Sequence, residues 1–351
     1  MVAKGYSQEA GIDYEETYAP VAKYKSIRAI LSIVNQLDME LHQMDVQTAF
    51  INGTLEEEIY MTQPEGYVEE STEHLVCKLK KSLYGLKQAS RCWFKTMDSF
   101  LKDSGYEQCK SGSLLYIKRV GGEELMIIAL YVDDMLIASN SKKMLRLEKN
   151  ALKEKFRMRD LGDAHYCLGI QITRDRVNKK MLLCQTKYLT DVLHKYHMEP
   201  CNPVSTPQEL GSKLMPNEGE SINKQQYQAL IGSLTYAVTG TRPDIAQALS
   251  SVNQFSSNPS SEHWKSAKRI LHYIKGTLDW GILFDGTKEE DVRIGGFVDA
   301  DWGSDPSGRK SRSGYIFNSC GGIVSWHSKK QTTVALSSTE AKYIAASSAT
   351  Q

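Results

Sequence analysis

The chain has 351 residues, of which 41% are hydrophobic and 24% charged. Those proportions exclude collagen-like, coiled-coil and wholly disordered chains, and the length suggests two or three domains. Lys and Arg number 43 against 42 Asp and Glu, a net charge of +1, which excludes a globally basic nucleic-acid-binding chain and leaves only local patches.

Such patches exist. Residues 54–73 hold seven Glu and no Lys or Arg, residues 78–95 hold five Lys and one Arg without an acid, and residues 308–330 hold three Lys and two Arg without an acid. The seven Cys are scattered and form no CxxC pair. That pattern fits buried thiols in a reducing compartment rather than a disulfide framework. His194 and His197 lie near Cys201, but a fourth ligand is not evident and no zinc site is expected. The longest apolar run, residues 125–132, is too short to cross a bilayer. Gly5, Ser7, Gln8 and Glu9 interrupt the apolar region a signal peptide needs.

In chain order, residues 1–22 read as loops and short strands punctuated by Gly5, Gly11 and Pro20. Ile27, Ile30, Leu31, Val34 and Leu37 recur at helical spacing and predict a helix over 23–37. A short strand follows at 41–46, then an acidic loop marked by Pro64 and Gly66. Trp93, Phe94, Met97 and Leu101 share one side of a helix over 91–102. Residues 114–118 and 125–139 read as strands, the second broken by two acids. A basic amphipathic helix covers 142–156, a hairpin 166–173 and 180–184, and a helix 188–196. Pro200, Pro203, Pro207 and Pro216 mark 199–226 as a linker. Helices over 227–238, 244–255 and 264–274 precede strand-like runs at 280–284, 292–298 and 315–326, and the chain ends in a helix from Thr339. Without regular βαβ alternation, the fold class is α+β.

The strongest chemical feature is Tyr131-Val132-Asp133-Asp134. Two acids inside an apolar run are costly to bury as ions. Either they form a tight turn between two strands, or a bound cation compensates them. Asp45, at the end of the 41–46 strand, supplies a third acid. Three carboxylates converging from adjacent strands are what two Mg²⁺ ions need to clamp an in-line phosphoryl displacement.

These residues sit in longer motifs. VAKGYSQEAGIDYEETYAPVAK, QMDVQTAFINGTLEEEIYMTQPEGY, KLKKSLYGLKQASRCWF, LYVDDMLIAS, FRMRDLGDAHYCLGIQI and LIGSLTYAVTGTRPDIA follow one another nearly end to end. The series closely resembles the reverse transcriptase of copia-type LTR retrotransposon Pol polyproteins. The resemblance implies a right-hand palm, fingers and thumb, followed by a truncated ribonuclease H-like α/β domain. It divides the chain into a polymerase with partial fingers, palm and thumb (1–198), the Pro-rich linker (199–226), a helical connection (227–288) and a clipped ribonuclease H-like region (289–351).

The implied activity is RNA-directed DNA synthesis on an RNA or DNA template with a primer and dNTPs. Two Mg²⁺ ions, or Mn²⁺, would be held by Asp45, Asp133 and Asp134. Phe50 falls where the family carries the aromatic that crowds a ribose 2′-hydroxyl, although by itself it reads equally as a core Phe. Tyr84, Gly85, Lys87 and Arg91 lie in the segment beside the incoming nucleotide and template. On residue type alone Lys78, Lys80, Lys81, Lys87, Arg91 and Lys95 could meet phosphates and Tyr84 could stack on a base, or the patch could be a solvated helix face. Gly169 falls in the hairpin that grips the primer end. FVDADWGSD and LSSTEAKY resemble the ribonuclease H region and suggest Asp299 and Glu340 as its residual acids, while the S-x-x-E spacing at Ser337 reads equally as a helix cap.

The family's polymerase begins further upstream with basic strands that bind the triphosphate, of which Lys4 alone is present here, so weakened nucleotide binding is expected. The family's later ribonuclease H acids fall beyond Gln351, so no ribonuclease H activity is expected from this chain by itself. The alternatives are a catalytically inactive nucleic-acid-binding remnant and a non-functional fragment that folds poorly. Association with Gag or other Pol products, in cytoplasmic particles or the nucleus and without a membrane, completes the implied setting.

Overall fold

The computed structural model describes residues 1–68, 71–110, 112, 114–287 and 292–351. The expected boundary between 288 and 289, and Glu69 and Glu70 of the acidic stretch, lie outside them. Helices and strands are mixed, in keeping with the α+β expectation. The chain divides into two compact units, Met1–Ile27 with Met39–Ala164, and Arg28–Asp38 with His165–Gln351. Helix α1 (Tyr24–Gln36) contributes its first residues to the former and the rest to the latter.

The first unit continues with β1 (Glu40–Val46), β2 (Tyr60–Thr62), β3 (Val76–Lys78), α2 (Ala89–Asp103), β4 (Glu107–Gln108), β5 (Leu115–Val120), β6 (Glu124–Tyr131), β7 (Asp134–Ser139), α3 (Lys142–Lys155) and β8 (Met158–Asp163). Six of these strands form one antiparallel sheet in the order β4-β5-β6-β7-β1-β8, and β2 pairs with β3. Side chains alternate across a strand. Met44 and Val46, Met126, Ile128 and Leu130, and Met135 and Ile137 therefore share one face. They pack there against Trp93, Met97 and Leu101 of α2 and Met144, Leu145 and Leu152 of α3. Strand β8 was not expected from the sequence. It is an edge strand whose side chains alternate between half-buried and exposed, so its apolar signal is weak.

The second unit contains β9 (Tyr166–Cys167), β10 (Ile170–Asp175), β11 (Lys180–Cys184), α4 (Thr186–Lys195), α5 (Lys224–Gly240), α6 (Ala246–Asn253), α7 (Ser261–Lys275), β12 (Gly281–Asp285), β13 (Ile294–Ala300), β14 (Arg312–Ser319), β15 (Gly322–Lys330) and α8 (Ser338–Ala349). Its sheets run β12-β11-β10-β9 and β13-β14-β15. Leu189, Leu230, Leu234, Leu249, Ile270 and Ile274 form the core among α4 to α7. Two expected strands are each split by a turn. Leu168 (φ 50°) and Gly169 (φ 74°) interrupt 166–173, and Cys320 (φ 50°) and Gly321 (φ 73°) interrupt 315–326. Two consecutive left-handed residues make a turn whose twist matches an antiparallel hairpin.

Residues 199–223 carry no helix or strand, as their prolines predict, yet they are tied down inside this unit. Leu214 is buried, Met215 O meets His263 Nε2 at 2.9 Å, and Ile222 N donates to Pro259 O at 3.1 Å. The segment is a strap rather than a free linker. Residues 224–226 belong to α5, which Asn223 caps by accepting from Gln226 N.

Arg242 is fully buried at the end of α5. Its guanidinium donates to both carboxylate oxygens of Asp244 at 3.0 and 2.7 Å, and to Thr277 O and Oγ1 at 3.0 and 2.6 Å. Removing the cation strands the Asp244 carboxylate and two acceptors of Thr277. Arg242→Met is therefore expected to lower unfolding free energy by about 3 kcal/mol in urea denaturation. A loss below about 1 kcal/mol would show that Arg242 does not hold these helix ends together.

Candidate active site

Strands β6 and β7 meet at a two-residue turn, Val132-Asp133, with Tyr131 paired to Asp134. Val132 has φ 56°, a region that β-branched side chains avoid. Two bonds hold the turn in this strained form. The buried Trp93 Nε1 donates to Val132 O at 2.5 Å, and Val46 N donates to Asp133 O at 2.9 Å. The tight-turn reading of these two acids is thus correct as local structure, and it leaves the cation reading open.

The pairing of β1 with β7 places Asp45 directly opposite Asp134. Cross-strand partners project from the same face. Gln43, Asp45 and Asp134 therefore share the sheet face opposite the one that Met44, Val46 and Met135 give to the helices. Gln43 Nε2 donates to Asp134 Oδ1 at 3.1 Å. Asp133 is exposed at the turn. Burial pushes the Asp134 carboxyl above the usual range, the Gln43 hydrogen bond opposes this, and the charges of Asp133 and Asp45 add to it. Of the three acids expected to converge, Asp134 thus feels the charges of both Asp133 and Asp45. On the outer side of β1, Arg159 of β8 is the register partner of Asp45. Among the described residues no three His, Cys, Asp or Glu side chains converge closely enough to hold a metal ion by themselves.

Other segments of the same unit carry further expected residues. Phe50 lies in a 3₁₀ turn, Ala49–Asn52, immediately after β1. Its half-buried ring is 4.7 Å from that of Tyr84, tilted by 56°. Ala3 N donates to Tyr84 O at 2.7 Å, and Gly85 (φ 96°) passes so close that a Cβ there would lie 2.1 Å from Ala3 O. Lys87 Nζ binds Gln8 O and the Tyr14 hydroxyl, both at 3.1 Å, and Arg91 donates to Tyr18 O at 3.2 Å.

The acidic and basic stretches, read from the sequence as separate patches, in part cancel. Lys95 pairs with Glu56 at 2.6 Å and Lys78 pairs with Glu58. Lys80 and Lys81 stay exposed, with no ion-pair partner among the described residues.

The second unit holds the remaining expected residues. The Tyr236 hydroxyl donates to Leu168 O at 2.9 Å, and a Cβ on Gly169 would fall 2.0 Å from that hydroxyl. Asp299, on β13, is largely exposed and lies 3.7 Å from Lys342 Nζ. Glu340 sits in the first turn of α8. Ser337 Oγ accepts from Glu340 N at 3.1 Å, and Glu340 Oε2 accepts from Leu336 N at 2.7 Å. Ser337 thus caps α8 as the S-x-x-E spacing suggests, while the Glu340 carboxylate reaches Leu336 N, one residue before the cap, instead of closing a full capping box.

Sequence reasoning missed Gln43, Trp93 and Arg159 as site residues. Gln43 was within reach of it, since a residue two before Asp45 on a strand must share its face. Trp93 and Arg159 reach the site through tertiary packing and strand pairing, which no local pattern announces.

A family model described as reverse transcriptase (RNA-dependent DNA polymerase) matches residues 1–210. The chain belongs to the reverse transcriptase family. It is 46% identical over 353 residues to the retrovirus-related Pol polyprotein from transposon TNT 1-94 of Nicotiana tabacum, covering 99% of this chain and 26% of that protein. It is 37% identical to the corresponding polyprotein from transposon RE2 of Arabidopsis thaliana, over 98% of this chain and 23% of that protein. A putative transposon Ty5-1 protein of Saccharomyces cerevisiae is 30% identical over 87% of this chain and 98% of its own length. The chain thus spans about a quarter of the plant polyproteins, and its likeness to these copia-type relatives runs along nearly all of it. Among the described residues, no helix is long and apolar enough to cross a membrane.

The Asp134 shift has a sign that can be checked. A carboxyl raised in the folded state binds its proton more tightly than in the unfolded chain, so its stabilising effect is present below the unfolded pKa of 3.8 and is lost as pH rises through the folded value. At pH 7 the ionised group is a net cost. Asp134→Asn is expected to raise the melting temperature at pH 7 in metal-free buffer and to leave it nearly unchanged near pH 3. A lower melting temperature at pH 7 would mean that the carboxylate is compensated by a group other than Gln43.

Proposed function

We propose that this chain is the RNA-directed DNA polymerase segment of a copia-type element, adding dNTPs to a primer 3′-hydroxyl. The observation that carries the reading is the register that sets Asp45 opposite Asp134, beside Asp133 on a strained and pinned turn. In this reading the six-stranded sheet with α2 and α3 is the palm. Residues 1–22, β2, β3 and the 78–95 stretch belong to the fingers, α4 to the thumb, and β13 to α8 to a ribonuclease H-like region.

Carboxylate oxygens are the donors Mg²⁺ prefers, and Mg²⁺ takes few of them, completing its shell with water and substrate phosphates. Asp45 opposite Asp134, with Asp133 on the adjoining turn, is an open set of carboxylates that suits that habit. Asp45, Asp133 and Asp134 would hold the ions. When bound, these neutralise charge on the transferring phosphoryl group and favour the ionised 3′-hydroxyl. The protein's own part is positioning. Trp93 and Val46 fix the turn, Gln43 orients Asp134, and the Phe50 ring against Tyr84 supplies an apolar wall beside the site. Lys80 and Lys81 are exposed cations for template or primer phosphates, whereas Lys78 and Lys95 would first have to leave Glu58 and Glu56.

That pairing favours a second reading, a nucleic-acid-binding protein without polymerase activity. Primer extension on a labelled primer with poly(A), dTTP and Mg²⁺ separates the two. The polymerase reading expects extension that falls about 10³-fold or more in Asp133→Asn while duplex binding is retained. Duplex binding without extension by the unaltered chain would establish the second reading.

The Phe50 wall gives a further expectation. Phe50→Ala should raise incorporation of UTP relative to dTTP at least tenfold in the same assay. An unchanged ratio would return Phe50 to the role of an ordinary core residue.

Neither acid suggested for ribonuclease H is free in this unit, since Asp299 faces Lys342 and Glu340 binds Leu336 N. We infer that the chain by itself does not cut the RNA strand of a hybrid.

A further inference from the structure

Helix α3 carries Lys142, Arg146, Lys149 and Lys153 at steps of four, three and four residues, which places all four on one face. Together with Glu40 and His42 of β1 and Asp160 of β8 they line a groove of about 450 Å³. Glu40 and His42 alternate with Leu41 and Gln43, and Asp160 pairs with Met44. The groove therefore lies on the helix side of the sheet, and Asp45 and Asp134 lie on the other.

Its charge is not balanced. Asp160 accepts from Lys149 at 2.6 Å and from Lys153 at 3.0 Å, and Glu40 lies 3.7 Å from the exposed Lys142. Arg146 is exposed and has no ion-pair partner among the described residues. Four cations thus face the two acids that line the concavity, with Asp163 a third at its edge, 3.4 Å from His42 Nε2. His42 Nδ1 sits 2.9 Å from Lys149 Nζ, and burial followed by the Lys149 charge lowers its pKa, so the imidazole adds no charge at neutral pH. Like charges three and four residues apart on a helix repel one another. An ordinary solvated helix face relieves that repulsion with interspersed acids, and here those acids are already shared.

From Lys142 to Lys153 the stripe rises about 16 Å at about 1.5 Å per residue, long enough to meet several successive phosphates of one strand. We propose that this groove is a second nucleic-acid site, which grips the phosphate backbone of a strand on the face of the sheet opposite the candidate active site. A backbone clamp of this kind holds a strand away from the candidate active site and contributes affinity without reading sequence. It goes beyond the polymerase reading and does not depend on it.

The test uses the full chain and a labelled 20-nucleotide single-stranded RNA. Anisotropy titrations at several salt concentrations compare wild type, Lys142→Glu/Arg146→Glu, and Lys143→Glu, a neighbouring exposed cation off the stripe. Both variants change exposed side chains, and a thermal melt verifies that they fold. The double variant is expected to lose at least tenfold in affinity at 100 mM salt and to flatten the plot of log K against log salt by about 1.4, the value for two lost contacts at about 0.7 each. Lys143→Glu should stay within threefold of wild type. In the wild type, RNA should slow acetylation of Lys142 and Lys149 at least fivefold. An unchanged slope, an equal loss in Lys143→Glu, or acetylation as fast with RNA as without it overturns the proposal. So does displacement of the RNA by an equimolar acidic polypeptide, which would assign the groove to a protein partner.

Discussion

The antiparallel register between β1 and β7 is the constraint on which the candidate site rests. Backbone hydrogen bonds set Asp45 opposite Asp134 and Met44 opposite Met135 in the same ladder. Because side chains alternate with a period of two, a slip of one residue would turn Met135 and Ile137 out of the core and the carboxylate into it. Burial of the methionines thus enforces the placement of the acids. The turn at Val132 closes the remaining freedom, since a β-branched residue at positive φ persists only where its surroundings hold it. Trp93 does so from α2, which makes the packing of that helix part of the geometry of the carboxylates.

Charge in this protein is settled by place rather than by total. At the surface of the first unit, Glu56 and Glu58 meet Lys95 and Lys78, exposed pairs of small energetic consequence that nonetheless decide which lysines remain open to a ligand. In the second unit the buried guanidiniums act differently. Arg28 donates to Val324 O at 2.8 Å, Thr239 O at 2.6 Å and Gly240 O at 2.9 Å, and stacks 3.9 Å from the centre of the Trp326 ring. One side chain thereby joins α1, α5 and β15, using donors that only a planar cation supplies in several directions at once. Arg242 does the same for the ends of α5 and α7. These cations bind carbonyls and carboxylates of the protein itself, so they hold the fold rather than a substrate.

The two faces of the six-stranded sheet give the first unit its division of labour. One face buries methionines and leucines under α2 and α3, and at its rim β1, β8 and α3 leave a basic groove. The other presents Gln43, Asp45 and Asp134. A single strand, β1, supplies residues to both, and that is possible only because its side chains alternate.

Much of this was legible before any fold was known. Periodicity located α1, α2, α3, α5 and α7 to within a few residues, since an apolar stripe is a local record of which face is buried. The acids at 133 and 134 were legible because they interrupt an apolar run that has no other reason to break. Motif resemblance supplied the family, and the family comparison agrees. Periodicity runs straight through the turns at Leu168-Gly169 and Cys320-Gly321, and only the first is marked by the resemblance, because a left-handed Leu or Cys carries no mark in its side chain. Edge strand β8, the strap over α7 and the cancelling of Glu56 and Glu58 by Lys95 and Lys78 were also hidden, because each depends on partners distant in the chain. The sequence by itself determined the family and the helices and singled out three acids as candidates, through local pattern and residue chemistry. Only the tertiary structure decided that Asp45 stands opposite Asp134, that Trp93 holds their turn and which lysines stay open, because strand register and ion pairing are settled between segments and not within them.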